Sequence, residues 1–314
     1  MLPDAHNYYL NRLSSTPLVP VQLDAREPVI WCKLEFLNPS GSTKDRIARH
    51  ILVKAWREGR VRPGQTVIEA SSGSTSIAMA LACAQLGLRF IAVMPEGVSN
   101  ERVLIIRAYG GQIRLTPREE GIRGAIAETE RLACERGGFL PRQFSNPENA
   151  DAHRVGTARE ILDQIPGGVV DAVVSGVGTG GTLVGLYQGL CDGGCPVTPV
   201  LARPVNLERT PDVECCSFSA RIPGVVECIS TIFSEPALPG LQTIEVEDED
   251  AIETTRRLTC SGFPVGPSSG LNYSAAIAAY RRLGGESARV VTIFPDRMER
   301  YFTTELFTPF RQVE

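Results

Sequence analysis

The feature that most constrains the fold of this chain is a regular alternation between short apolar runs and longer stretches with helical spacing. Buried strands are predicted at 29–35, 66–70, 90–94, 112–115, 169–175, 197–201 and 289–294. Apolar residues recur every three or four positions at 47–58, 74–86, 100–109, 121–136, 150–164, 183–190, 248–260 and 270–283. Strands that alternate with helices form parallel sheets with crossover helices, so the sequence predicts an α/β architecture. The zone from 203 to 242 favours neither element.

Composition narrows the class of protein further. The chain has 314 residues, 43% of them apolar and 22% charged, with a net charge of −4. It is therefore long and apolar enough for one large or two ordinary domains. This apolar content and the slightly negative net charge exclude a disordered chain, a fibre and a basic nucleic-acid module. The longest apolar run, 77–95, is interrupted by Gln85, Gly87 and Arg89, so we expect no membrane span.

Cysteine usage indicates the compartment. Nine cysteines form no even series of spacings, and the N-terminal MLPDAHNYYL lacks the apolar core of a secretion signal. We therefore expect reduced thiols and a cytoplasmic protein. The closest cysteine pairs, Cys191/Cys195 and Cys215/Cys216, have no neighbouring histidine, so no metal site is predicted.

Lysine is scarce, and one of the lysines has an unusual context. The chain contains 29 arginines but only Lys33, Lys44 and Lys54. Lys44 follows the turn-rich segment 38–43 and opens a predicted helix, where the helix dipole disfavours an ammonium and favours a neutral amine. A neutral amine is what Schiff-base chemistry requires. The alternative for an isolated lysine is an exposed side chain; that interpretation suits Lys54, while Lys33 occupies a strand position.

A second segment, Glu69-Ala70-Ser71-Ser72-Gly73-Ser74-Thr75-Ser76, lies between a predicted strand and an apolar helix. Hydroxyls and a glycine at a helix N-terminus present N–H and O–H donors that suit an anion such as a carboxylate. Ordinary helix capping explains the same residues equally well. Both interpretations stay open on this segment alone.

The third segment, Ser175-Gly176-Val177-Gly178-Thr179-Gly180-Gly181-Thr182, follows a strand and precedes a helix. Glycines let the backbone close around phosphate oxygens while amides and threonine hydroxyls donate to them. The spacing Gly-x-Gly-x-x-Gly also occurs in dinucleotide sites, but here the next strand ends at Arg203 instead of an acidic residue. Phosphate binding is favoured over dinucleotide binding.

The fourth segment is Gly266-Pro267-Ser268-Ser269-Gly270, a turn that leads into an apolar helix. Capping accounts for it in part. A serine hydroxyl at this position could also donate to or accept from a heterocyclic nitrogen.

These four segments, in this order, resemble the cysteine synthase and cystathionine β-synthase family of fold-type-II pyridoxal-phosphate enzymes. The similarity extends to the segments 93–96, 142–147 and 299–301 and so covers nearly the whole chain. It implies a tryptophan synthase β-like fold of two α/β domains, each an open twisted sheet flanked by helices. The domains would be residues 41–147, and residues 1–40 with 148–314. A homodimer that takes small amino-acid substrates, without nucleic acid or membrane, is also implied.

The resemblance assigns roles to particular residues. Lys44 would be the catalytic Schiff-base lysine. Cofactor binding would involve Lys44, Ser74, Gly178, Thr179, Gly180, Gly181, Thr182 and Ser268, and substrate binding would involve Ser71, Ser72, Gly73, Thr75 and Gln143. Ser74 replaces an asparagine that relatives commonly carry, which alters the expected contact with the cofactor's phenolic oxygen.

The implied reaction is β-replacement on an activated serine, O-acetylserine or O-phosphoserine, through an α-aminoacrylate. Sulfide or another nucleophile would add to give cysteine or a β-substituted alanine. A neutral Ser268 at the pyridine nitrogen favours this elimination chemistry over transamination. The segments 220–225 and 294–297 depart from the family pattern, so the choice of substrate does not transfer.

Several alternatives remain open. Cystathionine β-synthase activity, or a cysteine or serine β-lyase, would use the same cofactor. A non-catalytic binding protein is more remote, because such a protein has no need of Lys44 or of the glycine loop. A nicotinamide-dependent dehydrogenase is the last alternative. Arg221 is predicted to bind a phosphate or carboxylate of the substrate through bidentate contact, with a solvated surface arginine as the alternative.

Overall fold

The computed structural model describes residues 15–205, 221–223, 229–284 and 287–311. The chain divides into two compact units. The first unit contains Asn38–Asn149, and the second contains Ser15–Leu37 together with the described residues from 150 onwards. The α/β architecture predicted from the alternation of strands and helices is confirmed in both units.

The first unit is a parallel sheet with strand order β3-β4-β5, flanked by four helices. Its strands are β3 (Thr66–Ala70), β4 (Arg89–Pro95) and β5 (Gln112–Thr116). Its helices are α1 (Lys44–Arg57), α2 (Ser74–Leu86), α3 (Asn100–Ala108) and α4 (Gly121–Arg136). Helix α2 is apolar on nearly every side and is correspondingly buried, as its alanine-rich sequence requires. It packs in one core with α1 and the sheet.

The second unit has a six-stranded sheet in the order β1-β2-β9-β6-β7-β8. Its strands are β1 (Leu18–Val21), β2 (Ile30–Lys33), β6 (Ala172–Ser175), β7 (Thr198–Val205), β8 (Gln242–Glu247) and β9 (Val290–Ile293). Its helices are α5 (Glu148–Ala152), which begins in the first unit, α6 (Ala158–Gln164), α7 (Gly181–Asp192), α8 (Asp248–Cys260) and α9 (Pro267–Leu283). All pairings are parallel except β1 with β2.

The structure contains elements that the apolar pattern did not predict. Strand β1 is antiparallel and carries Pro20, which an edge strand tolerates. Strand β8 alternates buried and exposed residues directly after the irregular zone. The helix predicted over 150–164 is interrupted by a π-helical turn, His153–Thr157. Strand β1 was not among the predicted strands, because its four residues leave too short a pattern to be recognised.

The cysteines in the described ranges form no disulfide with one another: Cys32, Cys83, Cys134, Cys191, Cys195 and Cys260. In these same described residues, no three histidine, cysteine or acidic side chains gather as metal ligands. None of the helices in the described ranges combines the length and the apolar character needed to cross a membrane.

Candidate active site

Lys44 is the first residue of helix α1. The preceding turn is fixed by the buried Asp45, whose carboxylate accepts the backbone N–H of Ser40 at 3.1 Å and its hydroxyl at 2.5 Å. The N–H of Lys44 is donated to the Ser42 hydroxyl at 3.3 Å. The helix therefore begins where the turn residues predicted, and it places the half-buried Lys44 side chain in the positive end of the helix dipole.

The other two lysines have structural partners. Lys33 is fully buried in the second unit, and its Nζ lies 2.8 Å from a carboxylate oxygen of Glu160. Lys54 lies inside helix α1 and is paired with Glu148. Of the three lysines, Lys44 is thus the one that occupies a helix start.

The predicted carboxylate loop, residues 70–76, connects β3 to α2. The buried Ser71 hydroxyl accepts the N–H of Gly73 at 3.0 Å and that of Ser76 at 3.4 Å. The Arg102 guanidinium donates to the Ser72 carbonyl at 3.0 Å, and a Cβ on Gly73 would lie 2.6 Å from Arg102 Cδ. Ser74 is the first residue of α2, whose first-turn N–H groups have no intrahelical acceptors.

Gln143 lies against the carboxylate loop, as the resemblance implied. Its Oε1 accepts the Thr75 hydroxyl at 2.6 Å, and its Nε2 donates to the Ala70 carbonyl at 2.6 Å. The Asn149 amide holds the Gln143 carbonyl at 2.7 Å. The structure thus holds these residues in two neighbouring sets of buried hydrogen bonds within the first unit, one that joins Ser71 to Gly73 and one that joins Thr75 to Gln143.

Glu69 bonds to the set that contains Gln143, although the sequence did not predict a role for it. It is 3% exposed and accepts the N–H of Gln143 at 3.1 Å and that of Ala70 at 2.9 Å. Burial raises the pKa of this carboxyl to about 8, although the N–H groups of Gln143, Ala70 and Arg142 act in the opposite direction. Arg142 adopts φ +56°, which L-residues rarely do, and the Glu69 carboxyl group accepts N–H groups of this turn. The signal available in the sequence was that Glu69, a charged residue, lies in a predicted buried strand.

The glycine loop, residues 175–182, lies between β6 and α7 as predicted. Gly180 has φ +82°, and a Cβ there would lie 2.5 Å from Phe233 Cβ. Both the backbone conformation and the lack of space therefore require glycine at this position. The Thr179 hydroxyl accepts the Gly181 N–H at 3.4 Å, and Ser230 donates to the Thr179 carbonyl at 2.5 Å. Helix α7 begins at Gly181, and the N–H groups in the first turn of a helix lack intrahelical acceptors, which suits an anion.

A histidine lies behind the glycine loop. His153 is 1% exposed; its Nε2 lies 3.2 Å from the Thr182 hydroxyl and its Nδ1 lies 2.9 Å from the Thr157 hydroxyl. It opens the π-helical turn, a feature often found at functional sites. Gly185 of α7 packs directly on this turn. The sequence did not predict this contact, because His153 and Thr182 are distant along the chain.

Ser268 is half-buried in the first turn of α9, directly after Pro267. The turn before it is held by a bond from the Gly266 N–H to the Asp296 carbonyl, at 3.0 Å. Tyr301 donates to the Asp296 carboxylate at 2.7 Å. The terminal segment that carried part of the resemblance thus supports the start of α9.

Arg221 is engaged by two acidic residues in the structure. Its guanidinium lies 2.7 Å from Glu249 Oε2 and also pairs with Glu305. Of the altered segment 220–225, residues 220, 224 and 225 lie outside the described residues. The substrate-binding role of Arg221 stays a prediction.

The residues present suit pyridoxal phosphate. The phosphate would be received by the N–H groups at the start of α7 and by the hydroxyls of Thr179 and Thr182. In the described part of the chain, buried hydroxyls without a hydrogen-bond partner lie beside the predicted contacts: Thr43 next to Lys44, Ser76 in the carboxylate loop and Ser269 next to Ser268. Buried polar atoms of this kind normally find partners, and a polar ligand would supply them.

Comparisons with known proteins agree with this assignment. Residues 10–296 match the family described as "Pyridoxal-phosphate dependent enzyme". The chain is 36% identical to a cysteine synthase of Staphylococcus aureus (strain Mu50 / ATCC 700699) over 306 residues, which cover 94% of this chain and 95% of the relative.

Two solved structures extend the comparison. An O-acetylserine-dependent cystathionine β-synthase from Helicobacter pylori superposes with a TM-score of 0.84 at 32% identity, covering 95% of this chain and 98% of that one. A hydrogen sulfide-producing enzyme from Fusobacterium nucleatum superposes with a TM-score of 0.85 at 32% identity, covering 99% and 94%. This chain is an enzyme that belongs to the pyridoxal-phosphate-dependent family.

Proposed function

We propose that this enzyme catalyses β-replacement on an activated L-serine, O-acetylserine or O-phosphoserine, with sulfide or another nucleophile, giving L-cysteine or a β-substituted alanine. The observation that carries the proposal is the Thr75–Gln143 network of the carboxylate loop, which lies in the same unit as Lys44. A carboxylate site with a lysine at a helix start suits an α-amino acid. The similarity to a cysteine synthase over nearly the whole chain supports the same reaction.

Each residue has a defined task in this reaction. Pyridoxal phosphate, when bound, supplies the electron sink for the charge that develops at the substrate Cα. The Ser71–Thr75 segment and Gln143 would orient the substrate by its carboxylate. Lys44 would hold the cofactor covalently through Nζ, and the same nitrogen, as a neutral amine, would accept the Cα proton of the substrate.

Ser268 would determine which reactions follow. A hydroxyl is neutral and does not hold a ring nitrogen protonated as a carboxylate would, so charge at Cα is relieved by loss of the β-substituent. The Gly178–Thr182 segment would bind the phosphate, and Ser74 would face the cofactor's phenolic oxygen. With these assignments β-elimination is the easiest step. A nucleophile would then add at the β-carbon, in the direction opposite to elimination.

A second candidate is a cysteine or serine β-lyase, which would release hydrogen sulfide or ammonia without adding a nucleophile. The similarity to a hydrogen sulfide-producing enzyme at 32% identity favours keeping it. A cystathionine β-synthase reaction is retained on the same ground, the similarity to the Helicobacter pylori enzyme.

A substrate panel separates these reactions. Serine, cysteine, O-acetylserine and O-phosphoserine would each be incubated with the enzyme alone, with sulfide and with homocysteine, and the products scored by mass. Cysteine formed from an activated serine only when sulfide is present supports the proposal. Pyruvate and sulfide released from cysteine alone would instead identify the lyase. Transfer of the amino group would contradict both.

Arg221 would select the donor by binding its phosphate or carboxylate. Because Glu249 and Glu305 already pair with Arg221, a substrate anion would have to displace at least one of them. The ratio of O-phosphoserine to O-acetylserine turnover in Arg221→Ala tests this role. An unchanged ratio would leave Arg221 as a structural ion-pair residue.

We also propose that the enzyme is a cytoplasmic homodimer with domains at 41–147 and at 1–40 with 148–314. The nine cysteines, which form no even series of spacings, support a reducing compartment. Sedimentation of the purified holoenzyme tests the dimer, since a monomeric mass would contradict it.

A further inference from the structure

One buried amide joins three segments of the second unit. Asn272 lies in α9 and is 1% exposed. Its Oδ1 accepts the N–H of Gly176 at 2.7 Å, and its Nδ2 donates to the carbonyl of Ile293 at 2.9 Å. Both of its polar groups are therefore used, one at the start of the glycine loop and one at the end of β9.

The two backbone partners of Asn272 lie where adjacent strands stop pairing. Strands β6 and β9 run parallel, and their register ends with Val174 opposite Thr292. Beyond that point the Gly176 N–H and the Ile293 carbonyl are bonded to a side-chain amide, which imitates one peptide group of an additional strand. A buried backbone group left without a partner is costly, so Asn272 fixes where the glycine loop leaves the sheet.

The position of Asn272 on α9 relates the glycine loop to Ser268. Residues four apart on a helix lie on the same face, one turn from each other. Ser268 is four residues before Asn272, and Gly176 is two residues before Gly178. The Asn272 bridge therefore links the helix turn predicted to meet the pyridine nitrogen to the loop predicted to hold the phosphate. Pyridoxal phosphate joins its flat ring to the phosphate through an arm of only two atoms, so these two contacts must lie within a narrow range of distances.

We propose that Asn272 is a positioning residue that sets the spacing between Ser268 and the phosphate-binding glycine loop, and thereby the affinity for pyridoxal phosphate. This inference rests on the proposed cofactor contacts of both segments. It concerns the affinity for the cofactor and leaves the orientation of the amino-acid substrate to the first unit.

The isosteric change Asn272→Asp tests the bridge. An aspartate can still accept the Gly176 N–H, but it places a carboxylate oxygen against the Ile293 carbonyl in place of a donor. The dissociation constant of pyridoxal phosphate from the apoenzyme, measured by titration of the visible absorbance, should rise about tenfold or more. Asn272→Leu loses both bonds and should weaken binding further.

The matched control is Asn149→Asp in the first unit. Asn149 is also 1% exposed and donates through Nδ2 to one backbone carbonyl, that of Gln143. The control should keep the wild-type dissociation constant for pyridoxal phosphate within about twofold, while the spectral titration with O-acetylserine should show weaker substrate binding. Asn272→Asp should instead have a weaker affinity for pyridoxal phosphate and, once saturated with cofactor, should bind O-acetylserine as the wild type does.

Several results would overturn the role of Asn272. One is a lower melting temperature of the Asn272→Asp apoenzyme with cofactor affinity unchanged, which would mark a purely structural residue. Another is equal loss of cofactor affinity in Asn149→Asp. If Asn272→Asp does not fold, Asn272→Ser is read by the same criteria. Failure of the wild type to bind pyridoxal phosphate would reject the proposed cofactor contacts themselves.

Discussion

Gly185→Ala provides the most direct mechanical test of how the glycine loop is supported. Helix α7 starts at the loop and packs through Gly185 on the segment that includes the π-helical turn. A Cβ at Gly185 would lie 2.1 Å from the carbonyl oxygen of Ala150 and 2.8 Å from the Cβ of His153. Because one neighbour is a backbone atom, the strain can be relieved only by moving the helix or the segment that carries Ala150.

The size of the effect follows from these distances. Real Cβ contacts essentially never fall below 3.0 Å, so the 2.1 Å contact must open by 3.0 − 2.1 = 0.9 Å. Overpacking costs about 1–3 kcal/mol, and a contact that must open this far against a backbone atom lies in the upper part of that range, about 2–3 kcal/mol. Replacing a helical glycine by alanine contributes about 1 kcal/mol in the other direction. A net loss of about 1–2 kcal/mol corresponds to a melting temperature lower by roughly 2–8 °C.

Thermal unfolding of the apoenzyme, followed by circular dichroism, measures this change, and a pyridoxal-phosphate titration measures its effect on the loop. We expect a lower melting temperature and about tenfold weaker cofactor binding. Gln188→Ala, at a half-buried position of the same helix, is the control and should change stability by less than about 0.5 kcal/mol. A Gly185→Ala enzyme that melts at or above the wild-type temperature would refute the packing argument, since helix propensity alone predicts stabilisation.

Three further predictions concern the remaining parts of the site. Gly180→Ala places a side chain at φ +82° and within 2.5 Å of Phe233. The free energy of unfolding in urea should fall by about 2 kcal/mol or more, and the enzyme should lose more cofactor on dialysis. Wild-type values in both measurements would contradict this prediction. Thr75→Val removes the donor to Gln143, and should raise KM for the amino acid about tenfold with pyridoxal-phosphate affinity unchanged; a change confined to kcat would argue against carboxylate binding.

Glu69→Gln should alter the pH dependence of stability. The folded-state pKa of about 8 lies above the ordinary 4.5, so the folded protein keeps a proton that the unfolded chain has lost between these pH values. Wild-type stability should therefore fall as pH rises through this window, by up to about 1.4 kcal/mol per pH unit from this group. Melting temperatures between pH 5 and 8.5 should show a flatter slope for Glu69→Gln; parallel slopes would contradict the assignment.

What could be predicted from the sequence was encoded locally. Lys44 begins a helix because turn residues precede it, and the glycine loop separates a strand from a helix because glycines interrupt both patterns. The supporting residues were not predictable in this way. Glu69 bonds to a residue 74 positions away, and Asn272 to one 96 positions away. Such contacts are created by the packing of distant segments, and nothing in a short stretch of sequence records them.

Strand β1 was not predicted for the same physical reason. Its direction is set by pairing with β2, as in Leu18 opposite Lys33, and not by its own four residues. Lys33 shows the converse case: its strand position was predicted, but its burial against Glu160 depends on a helix far along the chain. Local pattern predicts which element a residue joins, and tertiary packing decides what that residue touches.

The central claim is that Lys44 carries the cofactor, and borohydride reduction of the holoenzyme followed by peptide mass mapping tests it most directly. Reduction fixes pyridoxal phosphate to the lysine that holds it. We predict the added mass on the peptide that contains Lys44, and its loss in Lys44→Ala. Label on Lys33 or Lys54 in the wild-type enzyme, or no label on any of the three lysines, would contradict the account.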